Sequence, residues 1–434
     1  MLFQTPERAA ARLLRGLDRA TVLVGMGERL PDVLVAAVIR EARARRVRLT
    51  LLVADIGGRW AFIDQDALAD VRSGALQLRL LAGGVPPALA PRVGHVAGSM
   101  FEVDRMIATG ELPVDAYVAR VGLGSGGRLT FGSIVGYGPT ALEVADRVGF
   151  EVVEEGPWPR FVGEIDVDPL VVTAAVRVES SPDPVTPRSA PTDEQRLVAR
   201  TIARLIPDGA TLQTGLGAVP AALLPELAQH ADLGVHSGIL PAELRALIAA
   251  GVVTGSRKSD APGRHVATGV KGGTLDPWGP DVSLQPIAQT HNPDRLRSID
   301  HLWAVNSAYE IDLAGQVNAE WVRGRRVASG GGQIDFLRAA RMSAGGAAVL
   351  ALPARTSRGQ SRIVARLSPA QPPTSTWADL DVVVTDHGVA DLRGLSFTER
   401  AEAVVRIAHP DDRRALGRAS AELDVDSESL QPYI

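Results

Sequence analysis

Short apolar runs rich in β-branched residues alternate with stretches of helical period along nearly the whole chain. The strand pattern falls at 21–25, 48–55, 116–121, 170–178, 211–214, 302–306, 348–352 and 382–385. The helical pattern falls at 31–44, 139–148, 194–205, 219–230, 241–250 and 397–408. Continuous apolar runs separated by helices belong to mostly parallel sheets covered on both faces. The expected class is therefore α/β.

The pattern repeats. Ala20-Thr21-Val22-Leu23-Val24-Gly25-Met26-Gly27, with Pro31 opening a helix, is echoed by Ala210-Thr211-Leu212-Gln213-Thr214-Gly215-Leu216-Gly217, with Pro220 opening another. A repeat of this kind implies two similar open α/β domains, and the cleft between them is the expected ligand site. Between the copies, Pro182, Pro184, Pro187 and Pro191 interrupt any helix or central strand. The expected division is an N-terminal domain over 1–180, a Pro-rich linker over 181–192, a C-terminal domain over 193–418 and an acidic tail over 419–434, where Glu422, Asp424, Asp426 and Glu428 gather.

A strand ending in Gly-x-Gly before a helix lets a ligand approach the backbone and presents N–H groups to an anion. Gly215 and Gly217 have that form, although a tight βα turn explains them equally well. Neither copy carries a dinucleotide fingerprint or a phosphate loop with Lys and Ser/Thr. Gly122 to Gly127 reads as a plain flexible loop. Ser329-Gly330-Gly331-Gly332 is stronger, because a helical run, 333–341, follows at once and its opening N–H groups lack helical partners.

Composition narrows the chemistry. With 434 residues, 45% hydrophobic and 22% charged, the chain is globular and too long for one ordinary core. A formal charge of -4 gives no reason to expect a nucleic-acid partner. The absence of cysteine excludes disulfides, thiolate metal sites and a cysteine nucleophile, and no metal is expected. No apolar run approaches the ~18 to 20 residues that span a bilayer. Arg8, Arg12 and Arg15 near the start fit a first amphipathic helix better than a transit peptide, so a cytoplasmic location is expected.

Three blocks carry a resemblance: Val305-Asn306-Ser307-Ala308 running to Gln316-Val317-Asn318-Ala319-Glu320, then Ser329-Gly330-Gly331-Gly332-Gln333-Ile334-Asp335-Phe336, then Val384-Thr385-Asp386-His387-Gly388-Val389-Ala390-Asp391. Together they resemble the acetyl-CoA hydrolase/transferase family, in its 4-hydroxybutyrate CoA-transferase-like branch. The resemblance is strong over 200–434 and in outline only over 1–180. It implies two CoA-transferase-like domains, an acyl-CoA substrate with no metal, an acceptor that is a carboxylate, an amine or water, and pairing into a homodimer.

The resemblance also implies site residues. In the family a glutamate following His-Thr attacks the acyl-CoA and becomes an enzyme-bound CoA thioester, which splits one difficult exchange into easier steps. Here the stretch reads His236-Ser237-Gly238, and Gly238 has no side chain to acylate. Asn306 matches an asparagine beside the nucleophile, Gly331 an oxyanion-stabilising amide, and Asp386 a second carboxylate, with His387 added beside it. The expected catalytic set is His236, Asn306, Asp386, His387 and Gly331, and the expected CoA-binding set is Gly215, Gly217, Gly330, Gly331 and Gly332. His236 and His387 are weighed as general bases, His236 also as a strand-end hydrogen-bonding residue. Direct acyl transfer or hydrolysis is the function expected. The alternatives are a noncatalytic CoA-binding homologue and an unrelated hydrolase using Ser237 or a His-Asp pair.

Overall fold

The computed structural model describes residues 2–27, 29–57, 59–123, 128–153, 166–179, 190–271 and 278–425. Two parallel sheets dominate it. The first is built on β1 (Arg19–Val24), β2 (Arg48–Asp55), β3 (Leu76–Gly84), β4 (Ala116–Leu123), β5 (Arg147–Val153) and β6 (Ala174–Val178), in the order β3-β2-β1-β4-β5-β6. The second is built on β7 (Thr211–Thr214), β8 (Gly234–Pro241), β9 (His265–Lys271), β10 (Val282–Leu284) and β11 (Leu302–Asn306). After a short strand, β12 (Ala328–Ser329), it is completed by β13 (Ala347–Ala351), β14 (Val382–Thr385) and β15 (Gly388–Asp391). Its order is β10-β9-β8-β7-β11-β13-β14-β15, and only the β14/β15 hairpin at its edge is antiparallel.

Both sheets start from a central strand and grow first to one side, then to the other. That reversal opens a crevice at the carboxyl ends of the two central strands, which is where open α/β sheets take ligands. The repeat lands on it. A Cβ on Gly25, at the end of β1, would lie 2.7 Å from the Cβ of Ala119 on β4, and a Cβ on Gly215, at the end of β7, 2.9 Å from Oδ1 of Asn306 on β11. Each glycine is required by the neighbouring strand across the switch point.

The halves are not separate cores. One apolar cluster takes in Leu23, Tyr117 and Phe150 from the first sheet with Val235, Val305 and Val349 from the second, while the outer faces keep their own clusters. Polypeptide from the second half also completes the first sheet: β12 pairs antiparallel with the end of β3, Ser329 opposite Gly83 and Ala328 opposite Gly84.

Most expected elements are present, with corrections. The pattern read as a helix over 139–148 is a helix only over Gly138–Val144, and Arg147–Val153 is β5, paired on both sides and buried from Val148 onward. The strand expected over 170–178 is a 3-10 turn at Pro169–Val171 followed by β6. The segment at 241 is not helical, because Pro241 ends β8 and the helix begins at Leu244. The last helix, Pro410–Val425, runs through position 419, so the start of the expected tail is helical. Residues 426–434, Gly124 to Gly127 and the linker up to 189 lie outside the described residues.

Candidate active site

A cavity of about 470 Å³ opens where the carboxyl ends of both sets of strands converge. The first half contributes Met26, Ile56, Gly83 and Met100. The second contributes Gly215 and Gly217 after β7, Gly238 on β8, Asn306 at the end of β11, and the loop Gly330 to Gly332. Six of the nine residues expected at the site therefore share one wall.

Local sequence explains their placement. Gly217 caps the helix Ala218–Glu226, and a Cβ there would press on Pro220 at 3.3 Å and Ser307 at 3.4 Å. Asn306 exchanges hydrogen bonds with Gln213: its Nδ2 donates to Oε1 at 2.8 Å, and Gln213 Nε2 donates to its Oδ1 at 3.3 Å. In this arrangement Asn306 Nδ2 keeps a second proton to give.

The triple-glycine loop runs from β12 into the helix Gln333–Met342. Gly331 has φ of +57°, and its carbonyl accepts from Met100 N at 3.2 Å, which ties the loop to the first half. Neither Gly331 N nor Gly332 N has a hydrogen-bond partner among the described residues. Just inside the helix, burial pushes Asp335 up to about 7 while its Oδ2 accepts from Phe101 N at 3.3 Å.

The remaining expected residues are elsewhere. His236 shares the face of Gly238 on β8, since alternate strand residues point the same way, but it is buried below the cavity wall. Its Nε2 lies 3.0 Å from Thr290 O and its Nδ1 3.5 Å from Asp260 Oδ2, a carboxylate that Arg295 also holds, at 3.0 Å. Burial pushes His236 down, partly offset by Asp260. His236 is not among the residues that line the cavity, and its ring nitrogens face Thr290 O and Asp260. Asp386 and His387 lie further away. They sit in the hairpin turn between β14 and β15, at the far edge of the sheet from β8, and neither lines the cavity. Asp386 Oδ1 accepts from Ala354 N at 2.6 Å, and the His387 ring packs edge-on against His409 at 5.1 Å. Ser237 points to the opposite face of β8, with its hydroxyl on Thr214 O and Ile239 O.

Sequence reasoning missed His291. It is fully buried and lines the cavity, Nδ1 lies 2.8 Å from Thr290 Oγ1, and Nε2 is without a hydrogen-bond partner. Burial, with His236 nearby, pushes it down to about 3. A Cβ at Gly238 would lie 3.2 Å from its Nε2, and one at Gly332 2.5 Å. The only hint in the sequence is His291-Asn292-Pro293, where Asn292 caps a short helix. No group of three or more metal-ligating side chains occurs among the described residues, and none of their helices is long and apolar enough to cross a membrane.

A model of the acetyl-CoA hydrolase/transferase C-terminal domain matches residues 274–420. The 4-hydroxybutyrate coenzyme A transferase of Clostridium kluyveri is 32% identical over 335 residues, which span 75% of this chain and 76% of that one. The acetyl-CoA hydrolase of Saccharomyces cerevisiae is 28% identical over 327 residues, 66% of this chain and 61% of that one. Among solved structures, RipA from Yersinia pestis superposes with a TM-score of 0.86 at 28% identity, covering 97% of both chains. The 4-hydroxybutyrate CoA-transferase from Porphyromonas gingivalis superposes with a TM-score of 0.75 at 27% identity, again over 97% of both.

Proposed function

The chain belongs to the acetyl-CoA hydrolase/transferase family, and from that membership we propose that it holds an acyl-CoA thioester in the cavity between the sheets and passes the acyl group directly to an acceptor, with no glutamyl-CoA intermediate. It is an acyl-CoA-processing enzyme of the transfer or hydrolysis type. One observation carries the proposed route: no aspartate or glutamate lines the cavity among the described residues. At Gly238, on the wall facing His291, there is no side chain to acylate. Glu320 lies beside the glycine loop, its Oε1 3.4 Å from where a Cβ on Gly330 would be, but it is buried and paired with Arg326 at 3.0 Å; Asp335, just past the loop, is held by Phe101 N.

Without a protein carboxylate, the thioester carbonyl must be attacked by the acceptor itself. The negative charge that develops on its oxygen needs donors that are already in place. Gly331 N, Gly332 N and the second proton of Asn306 Nδ2 supply three candidates on the same wall. A noncatalytic CoA binder needs no such group of donors, which favours an enzyme. Residence in the cytoplasm and pairing into a homodimer are proposals of the same kind, to be tested by fractionation and light scattering.

The test is trapping. Incubation with an acyl-CoA followed by borohydride or hydroxylamine is expected to reveal no CoA adduct on the protein. An adduct on Glu243, Glu320 or Asp386 would overturn the direct route. Gly238→Glu alone is expected to stay silent in CoA exchange, because its Cβ already crowds His291. Gly238→Glu with His291→Ala opens that space, and is the variant in which carboxylate-dependent exchange is expected.

A further inference from the structure

His291 is placed as a base without being named as one by any motif. Thr290 Oγ1 lies 3.2 Å from Pro286 O and 2.8 Å from His291 Nδ1. A hydroxyl has one proton. When it donates to the carbonyl, which can only accept, Oγ1 becomes the acceptor for Nδ1–H, and the lone pair is left on Nε2. That nitrogen is buried, unpartnered and on the cavity wall. Two glycines flank it: a Cβ on Gly238 would lie 3.2 Å from Nε2 and one on Gly332 2.5 Å, so neither position sets a side chain against this nitrogen. The Phe336 ring, 4.9 Å away and edge-on, holds the imidazole from one side, and His236 holds Thr290 O from below.

We propose that His291 is the general base of the reaction and that the acceptor is therefore one with a proton to give up, water foremost, and not a carboxylate. The inference rests on the acyl-CoA reading above. As the acceptor oxygen bonds to the thioester carbonyl carbon, its proton passes to His291 Nε2, and the carbonyl electrons move onto an oxygen facing the glycine-loop amides. When the C–S bond breaks, the CoA thiolate takes that proton from the imidazolium. Water and acyl-CoA give a carboxylic acid and CoA, and the imidazole is regenerated. A carboxylate has no proton to lose, so a base at this position does nothing for its attack, whereas water or another protic acceptor needs one. The low affinity of His291 for a proton keeps Nε2 free at ordinary pH, and the adjacent oxyanion favours the imidazolium only while it exists.

The experiment uses the full chain with a panel of acyl-CoAs and reads thiol release and CoA binding. Thiol is expected to be released with no carboxylate added. His291→Ala and the similarly shaped His291→Gln are expected to lower that rate by about 10²-fold or more, with CoA affinity within about threefold of the parent. Free imidazole is expected to restore part of the rate to His291→Ala only. Wild-type turnover is expected to slow in deuterium oxide, a measurement that needs no variant. Full turnover in a folded His291→Gln, or no solvent isotope effect, overturns the proposal. So does a wild-type protein that binds CoA but releases thiol only when a carboxylate is supplied. A wild-type protein that neither binds CoA nor releases thiol fails at the earlier step, the acyl-CoA reading itself.

Discussion

At the scale of single residues, the glycines of the site are there for different reasons. Gly331 adopts φ of +57°, a conformation side chains disfavour, whereas Gly332 has φ of −86° and is a glycine because His291 fills its Cβ position. From sequence alone the two look equivalent. The difference is testable through a double-mutant cycle. Gly332→Ala is expected to lower both melting temperature and thiol release, since the methyl forces the imidazole off its place. In the background of His291→Ala the same methyl is expected to cost little stability. Additive losses in the melting temperature would show that the two residues do not meet. The buried histidine was illegible for a matching reason: one polar residue among 434 carries no period, and its significance lies in two absent side chains contributed by distant segments.

At the scale of elements, the reading from hydrophobic pattern succeeded where strands are buried on both faces and failed where a helix and a strand follow each other without a break. β2, β7, β11 and β14 match their expected bounds. β8 was unread, because Gly234-Val235-His236-Ser237-Gly238 shows no continuous apolar run, and its strand character comes from pairing with β7 and β9. Pairing of β12 with the end of β3 was equally invisible, being a contact between distant segments, yet it sets where the triple-glycine loop begins. Gly83 has φ of +89°, and a Cβ there would lie 1.6 Å from Asp55 O, while a Cβ on Gly84 meets nothing within 4 Å. Gly83→Ala is therefore expected to displace the end of β3, with a stability loss of about 2 kcal/mol or more and weakened CoA binding through the glycine loop. Gly84→Ala, one residue away, is the control and is expected to bind CoA as the parent does. Equal calorimetric affinities for all three proteins would dissociate this strand pair from the ligand site.

At the scale of the whole molecule, buried acids and buried histidines pull stability in opposite directions. Burial raises Asp32 and Asp104 to about 6 and Glu151 and Asp335 to about 7. Their contribution is fully present below the unfolded carboxyl range and is lost as pH rises through 6 to 7, because the folded protein must then hold a desolvated carboxylate. Burial lowers His95 and His265 to about 4 and His291 to about 3. Their contribution is present above the unfolded value of 6.5 and is lost as pH falls below it, when only the unfolded chain takes up the protons. The two groups oppose each other between about pH 4 and 6.5, and above that window only the acids still titrate. Across that window four acids oppose three histidines and stability is expected to change little, and above it to fall towards pH 8 as the remaining acids titrate. Glu151 isolates the alkaline arm. Its Oε1 accepts from Leu34 N at 2.7 Å, but its Oε2 is buried without a partner. Glu151→Gln keeps the acceptor and removes the charge, so its melting temperature is expected to exceed that of the parent at pH 8 and to approach it at pH 5. The displacement of Glu151 from 4.5 to about 7 bounds the difference at roughly 3 kcal/mol. A difference that does not change between pH 5 and pH 8 would mean that Glu151 titrates as an ordinary carboxylate, and the alkaline decline would have to come from elsewhere.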